Sequence, residues 1–241
     1  MSTKSGEVHL ALTMEIMPRK ETKNKFLNKL RSWYLENKRD FPWRYSSDPY
    51  KVLVSEVLLQ KTNASKVVPI YSKFIKKYPN PQKLSNAKLS DVKKLLRSLG
   101  LLYRAERLVS IGKHLTVYCH GKVPNQIKQL LKLSGVGNYA AAAVLCFAFN
   151  KRVAIVDNNV VRLLERIFGH KSSKKRLRND KSVWKRAESL LPLNNIKNYN
   201  YALLDFSALI CTFRNPKHDV CPFTAICEYY KKNMRTKSPL E

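Results

Sequence analysis

Leu133-Ser134-Gly135-Val136-Gly137-Asn138-Tyr139-Ala140-Ala141-Ala142-Ala143-Val144 sets a tight turn, with glycines at 135 and 137, between a short helical stretch at Gln126 to Lys132 and a helix that begins at once at Asn138. The first N–H groups of that second helix have no partner within it. They point outward at its N-terminus, where they suit a phosphate. Glycine at the turn permits positive φ and lets a nucleic-acid backbone come close. A Gly-rich helix connection that binds nothing uses the same residues, so the turn alone leaves both readings open.

Downstream lies Val153-Ala154-Ile155-Val156-Asp157-Asn158-Asn159-Val160-Val161-Arg162. An Asp between an apolar run and a helical pattern reads first as an N-cap. It reads as a functional carboxylate only if a second group joins it. Upstream, Leu53-Val54-Ser55-Glu56-Val57-Leu58-Leu59-Gln60 holds a single acid in a strongly apolar helix. Such an acid is costly to bury unless it is partnered or does chemistry, and both uses stay open for Glu56.

The remainder of the chain is consistent with an all-α fold, because Gly is scarce and apolar residues recur at helical spacing. Helices are expected at about 25–38, 50–60, 66–77, 90–98, 105–118, 126–132, 138–149, 158–168, 183–191 and 199–211. Residues 1–23 read as a basic leader, His170 to Arg178 as a solvated basic loop, and 231–241 as a basic tail. With 46 Lys+Arg against 17 Asp+Glu in 241 residues, the net charge is +29, which favours a polyanionic partner. A hydrophobic content of 44% excludes a wholly disordered basic arm. The longest apolar run, Tyr139 to Phe149, is well short of the roughly 20 residues that span a bilayer. The N-terminus lacks an apolar signal segment, so the expectation is an intracellular protein with no membrane partner, in the cytoplasm and nucleoid or in a nucleus. An odd number of cysteines, with Cys211, Cys221 and Cys227 crowded near the C-terminal end, argues against a disulfide framework.

Taken in order, Phe41-Pro42-Trp43-Arg44, Asp48-Pro49-Tyr50, Ser55-Glu56-Val57-Leu58-Leu59-Gln60-Lys61-Thr62, Leu133-Ser134-Gly135-Val136-Gly137 and Val156-Asp157 resemble the helix-hairpin-helix DNA glycosylase superfamily. Within it the chain is most similar to the branch of thymine-DNA mismatch glycosylases and adenine DNA glycosylases, with endonuclease III more distant. The resemblance implies two lobes: a six-helix barrel lobe with the hairpin at 50–164, and a terminal-helix lobe formed by 24–49 and 165–230. It implies that the duplex is bent and one nucleotide flipped into the cleft between them. Leu133, Gly135, Val136 and Gly137 would grip phosphates through main-chain amides, with a monovalent cation at the hairpin. Asp157 matches the essential carboxylate, which stabilises the oxocarbenium-like sugar or positions the nucleophile. Glu56 matches an acid that protonates a purine or hydrogen-bonds a pyrimidine edge. Gln60 matches the residue that fills the space left by the flipped base. Leu101, Leu102 or Tyr103 would wedge from the other side, with Leu102 as the candidate.

Position 139 divides the chemistry. Bifunctional relatives carry a Lys there that forms a Schiff base, whereas this chain has Tyr139, as thymine-DNA mismatch glycosylases do. The resemblance therefore implies a monofunctional enzyme that removes thymine or uracil paired with guanine. Its partners would be double-stranded DNA carrying a mismatched or damaged base and a downstream AP endonuclease, and it would act as a monomer. Only 14 residues follow Cys227 in the sequence, so a C-terminal recognition domain like that of adenine glycosylases that read 8-oxoguanine is not expected. Adenine removal from A:G or A:8-oxoG pairs, and a catalytically silent DNA-binding protein, are the alternatives.

Relatives close with C-x6-C-x2-C-x5-C around a [4Fe-4S] cluster. Here the spacing is kept and one ligand differs, as Cys211-x6-His218-x2-Cys221-x5-Cys227. The expected occupant is a [4Fe-4S] cluster with one His ligand, then zinc, then none.

The +29 charge predicts steeply salt-dependent duplex binding. The observed affinity for a short undamaged duplex should fall by about 10³ or more between ~50 and ~200 mM salt. Fluorescence anisotropy across that range checks it; a flat dependence would contradict it.

Overall fold

The computed structural model describes residues 18–169 and 180–235. Most of the leader, the basic loop at 170–178 and the end of the tail lie outside the described residues. In chain order the helices are α1 Lys20–Asn37, α2 Pro49–Leu59, α3 Ala64–Lys77, α4 Pro81–Ser85, α5 Leu89–Leu96 and α6 Tyr103–Tyr118. They continue as α7 Ile127–Leu130, α8 Asn138–Phe147, α9 Asn158–Phe168, α10 Lys181–Ser189, α11 Ile196–Leu209 and α12 Glu228–Arg235. No strand occurs among the described residues, as the periodicity predicts.

The described residues divide into two compact units, 18–39 with 152–169 and 180–235, and 40–151. The division falls earlier than the expected boundaries after 49 and 164. In the 40–151 unit Asp48 accepts the N–H groups of Tyr50 at 2.8 Å and Lys51 at 3.4 Å, while Pro49 takes the first turn of α2, where no N–H is needed. Tyr50, Val52, Leu53, Val54, Ser55, Glu56, Val57 and Leu58 are all buried. A helix apolar on nearly every side sits at the centre of its unit. It packs against α8, whose Ala140–Ala143 run has no bulk to hold the two backbones apart. Gly112 does the same for α6 against α4: a Cβ there would meet Leu84 Cγ and the backbone N of Ser85, both at 2.9 Å.

The other unit is built on aromatic contacts. Phe26 of α1 lies 5.1 Å from Phe223 and 5.2 Å from Phe168, and Trp33 lies 4.9 Å from Phe206 of α11. Arg39 donates its backbone N–H at 3.0 Å and its Nε at 2.6 Å to the fully buried carboxylate of Asp205, tying the end of α1 to α11. These contacts hold a chain end to a distant helix within one unit.

Helix α1 starts at Lys20, inside the expected leader, and α4 and α12 were not expected. For α4 the signal is local, an Asn80 side chain that caps Lys83 N–H at 2.9 Å followed by Pro81 at the first turn. For α12 the Lys-rich composition hides a helix whose first turn follows Cys227.

Gly112→Ala should cost about 1–3 kcal/mol, because the new methyl meets backbone and not a mobile side-chain end. Urea unfolding of both proteins measures it, and an unchanged midpoint would contradict the packing described.

Candidate functional site

In the 40–151 unit the hairpin is a turn between α7 and α8. Gly135 adopts a left-handed φ of +74° and Val136 N–H donates to the Leu133 carbonyl at 3.1 Å, closing it. Only Gly135 needs the positive φ; Gly137 is extended, with φ −99° and ψ −176°. Leu133 and Val136 bury their side chains, so what they offer a ligand is main chain. A Cβ at Gly137 would meet nothing within 4 Å, so this stretch of backbone is open to approach. Gly137 caps α8 with no side-chain hydrogen bond, and a helix N-terminus is where main-chain N–H groups suit an anion.

Glu56 is 5% exposed on α2, and Tyr139 is half-buried in the first turn of α8, the helix against which α2 packs. Gln60 follows the end of α2. Its Nε2 donates to the Gly135 carbonyl at 2.9 Å, and its Oε1 accepts from Arg107 Nη1 at 2.8 Å. Gln60 is therefore joined to the hairpin itself. The guanidinium of Arg107 also lies over the Tyr103 ring, 4.4 Å from its centroid. Just before α6, Leu101 has a φ of +50° and is 39% exposed, and Leu102 is 42% exposed. Arg104, fully buried, braces this loop by donating to the carbonyls of Leu58, Leu99 and Gly100.

In the other unit Asp157 is the N-cap of α9. Its Oδ1 accepts from Asn159 N at 2.9 Å and Val160 N at 2.7 Å, and its Oδ2 accepts from Asn159 Nδ2 at 2.9 Å. The cap reading of this Asp is thus correct, and it leaves lone pairs on Oδ2 of a half-exposed carboxylate free for chemistry. Arg162 Nη1 donates to Asn159 Oδ1 at 2.9 Å, its Nε to the Cys211 carbonyl at 3.0 Å and its Nη2 to the Ser207 carbonyl at 2.8 Å. One turn on, Arg166 donates to the carbonyls of Thr212 at 2.6 Å and Phe213 at 3.0 Å. Helix α9 thus carries the carboxylate at its start and grips the cysteine-bearing loop along its length.

Cys211, His218, Cys221 and Cys227 line one cavity, together with Arg166, Phe223 and Tyr229 among others. The donor types and the shared cavity fit a metal or cluster. As placed, no three His, Cys, Asp or Glu side chains among the described residues converge into a metal-holding group. Burial pushes the Cys221 thiol up to about 11 and raises Cys227 as well, so a metal entering here must displace thiol protons. Arg166 Nη1 lies 3.6 Å from Cys211 Sγ, and Cys227 Sγ donates to the Arg166 carbonyl at 3.3 Å. No helix among the described residues is long and apolar enough to cross a membrane.

Residues 54–188 match the model of the HhH-GPD superfamily base excision DNA repair proteins. The chain belongs to that superfamily. It is 37% identical over 226 residues to a thymine/uracil-DNA glycosylase of Pyrobaculum aerophilum, covering 92% of this chain and 98% of that one. The structure of a thermostable thymine-DNA glycosylase superposes with a TM-score of 0.83 at 38% identity, over 88% of this chain and 98% of that one. An adenine DNA glycosylase of Buchnera aphidicola subsp. Baizongia pistaciae is 35% identical over 209 residues, 86% of this chain and 59% of that one. Within this superfamily fold, Glu56, Tyr139, Gln60 and the hairpin belong to one unit, and Asp157 and the Cys/His loop belong to the other. Arg107, Asn159, Arg162 and Arg166 escaped the sequence reading. Arg162 and Arg166 share one face of α9 at i and i+4, a spacing visible in sequence; nothing local marks Arg107.

Asp157→Asn keeps the cap oxygen toward α9 but turns an amide donor toward Asn159 Nδ2, and should cost about 0.5–1 kcal/mol, whereas Asp157→Ala, which loses the cap as well, should cost about 1–2 kcal/mol. Thermal melts of the two variants measure this, and an Asp157→Ala variant as stable as the parent would show that the cap contributes nothing.

Proposed function

We propose that the protein is a monofunctional DNA glycosylase that hydrolyses the N-glycosidic bond of thymine or uracil mispaired with guanine. Its likeness to a thymine/uracil-DNA glycosylase over nearly the whole of both chains carries the reading. Tyr139 agrees with it, because a phenol in the first turn of α8 has no amine with which to form a Schiff base.

In this reading the α8 N-terminus and the Gly135 to Gly137 main chain hold a backbone phosphate, and carbonyls of the turn hold a monovalent cation. Gln60 and Leu102 enter the duplex as one nucleotide leaves the stack. Glu56 hydrogen-bonds the pyrimidine edge from its desolvated position. As the C1′–N bond breaks, its electron pair leaves with the base and positive charge develops on the sugar. The Asp157 carboxylate stabilises that charge and orients a water, whose oxygen bonds to C1′ while its proton passes to the carboxylate or solvent. The products are free base and an intact strand with an abasic sugar, the substrate class of an AP endonuclease. The protein acts as a monomer.

Cys211, His218, Cys221 and Cys227 would hold a [4Fe-4S] cluster, or zinc. Either occupant would cross-link the loop that α9 grips, and no step of base removal passes through it.

Single-turnover reactions on end-labelled duplexes with T:G, U:G, A:G, A:8-oxoG or normal pairs, read with and without alkali, test the proposal. Strand cleavage only after alkali, confined to T:G and U:G, is expected, with no protein–DNA adduct trapped by borohydride. Release of adenine, or a trapped adduct, would overturn it.

A further inference from the structure

We propose that Arg107 is a positioning residue for base flipping: it locks the Gln60 amide in one orientation and joins it to the hairpin. The inference rests on the glycosylase reading above and concerns a contact that the motifs do not mark.

An amide side chain at a protein surface can turn either way round, presenting its oxygen or its nitrogen. Here the choice is made chemically. Arginine can only donate, so the group facing Arg107 Nη1 at 2.8 Å must be Oε1. A carbonyl can only accept, so the group facing the Gly135 oxygen at 2.9 Å must be Nε2. Each contact sets the same flip, and the two together hold the amide at both ends.

Arg107 is itself held. Its guanidinium stacks on Tyr103 at 4.4 Å, and its Cδ and Nε would lie 2.4 and 2.7 Å from a Cβ at residue 135. The space that Gly135 leaves empty is therefore the channel through which Arg107 passes. Glycine at 135 serves two ends here, the left-handed turn and the passage of this side chain. The result ties three pieces of the 40–151 unit to one guanidinium: the residue after α2, the hairpin turn, and the first turn of α6, which follows the exposed Leu101 and Leu102. A phosphate gripped at the hairpin then fixes the height at which the Gln60 amide meets the base stack, with one N–H and one lone-pair direction left for a base edge.

Arg107→Met keeps the stem and removes the donors. It should slow single-turnover thymine release from a T:G duplex at saturating enzyme by about tenfold, the scale expected when a group that holds the flipped state loses one of its two supports. Affinity for undamaged duplex should change by less than about threefold, as the loss of one surface charge predicts. Arg107→Lys, which restores a donor, should return the rate to within about threefold of the parent. Gln60→Ala and the Gln60→Ala/Arg107→Met double variant should be equally slow, since the arginine acts through the glutamine. The lock is also read without catalysis, because the Gln60 side-chain amide signal in ¹⁵N-resolved NMR should shift and exchange faster in Arg107→Met. An unchanged amide signal, an unchanged rate, or effects that multiply in the double variant would overturn the assignment. If the parent released no base from any duplex, the glycosylase reading would fall, and the amide signal would still decide whether the lock exists.

Discussion

The carboxylate of Asp157 accepts three N–H groups, two from the first turn of α9 and one from the Asn159 side chain, which holds both its oxygens at the start of the helix. Through Asn159 it is also joined to Arg162, and through Arg162 to the carbonyls of Ser207 and Cys211. A capping residue ordinarily serves only its helix. This one sits at the head of a helix whose arginines hold the Cys/His loop, so helix, loop and carboxylate stand or fall together. Rigidity of that kind suits a group that must meet a developing charge without first reorganising.

The 40–151 unit is organised by a different constraint, the close approach of α2 and α8. Alanines on α8 and apolar residues around α2 bring the helices together, and Glu56 is buried as a consequence. The same packing sets Gln60 beside the hairpin, where Arg107 completes the contact. An interior acid, an open main-chain turn and a fixed amide thus arise from one helix pair and its connections.

Most of the fold was legible because the helices are amphipathic or capped by residues with a physical preference for that place, such as Asp48 before Pro49 and Asp157 before Asn158. The hairpin, Glu56 and Asp157 were legible for the same reason, since each breaks a local pattern: two glycines in a turn, one acid in an apolar helix, one acid after an apolar run. The short α4 and the lysine-rich α12 were missed because their apolar faces are too brief to show a period. Arg104, buried against carbonyls, and the half-buried Arg107 are hidden among the 46 basic residues, where charge alone does not distinguish either from a residue in open solvent. Only the path of the chain reveals that Arg104 braces a loop and that Arg107 crosses above a glycine.

In the proposed reaction the negative charge of Asp157, and not its role as a cap, carries the chemistry. The most direct test is the single-turnover rate of base release from a T:G duplex by Asp157→Asn, measured beside its duplex affinity. The account predicts a rate lower by about 10³ or more with affinity nearly unchanged, as expected when a charge-stabilising group is lost and its shape is kept. A variant that releases thymine at the parental rate would contradict it.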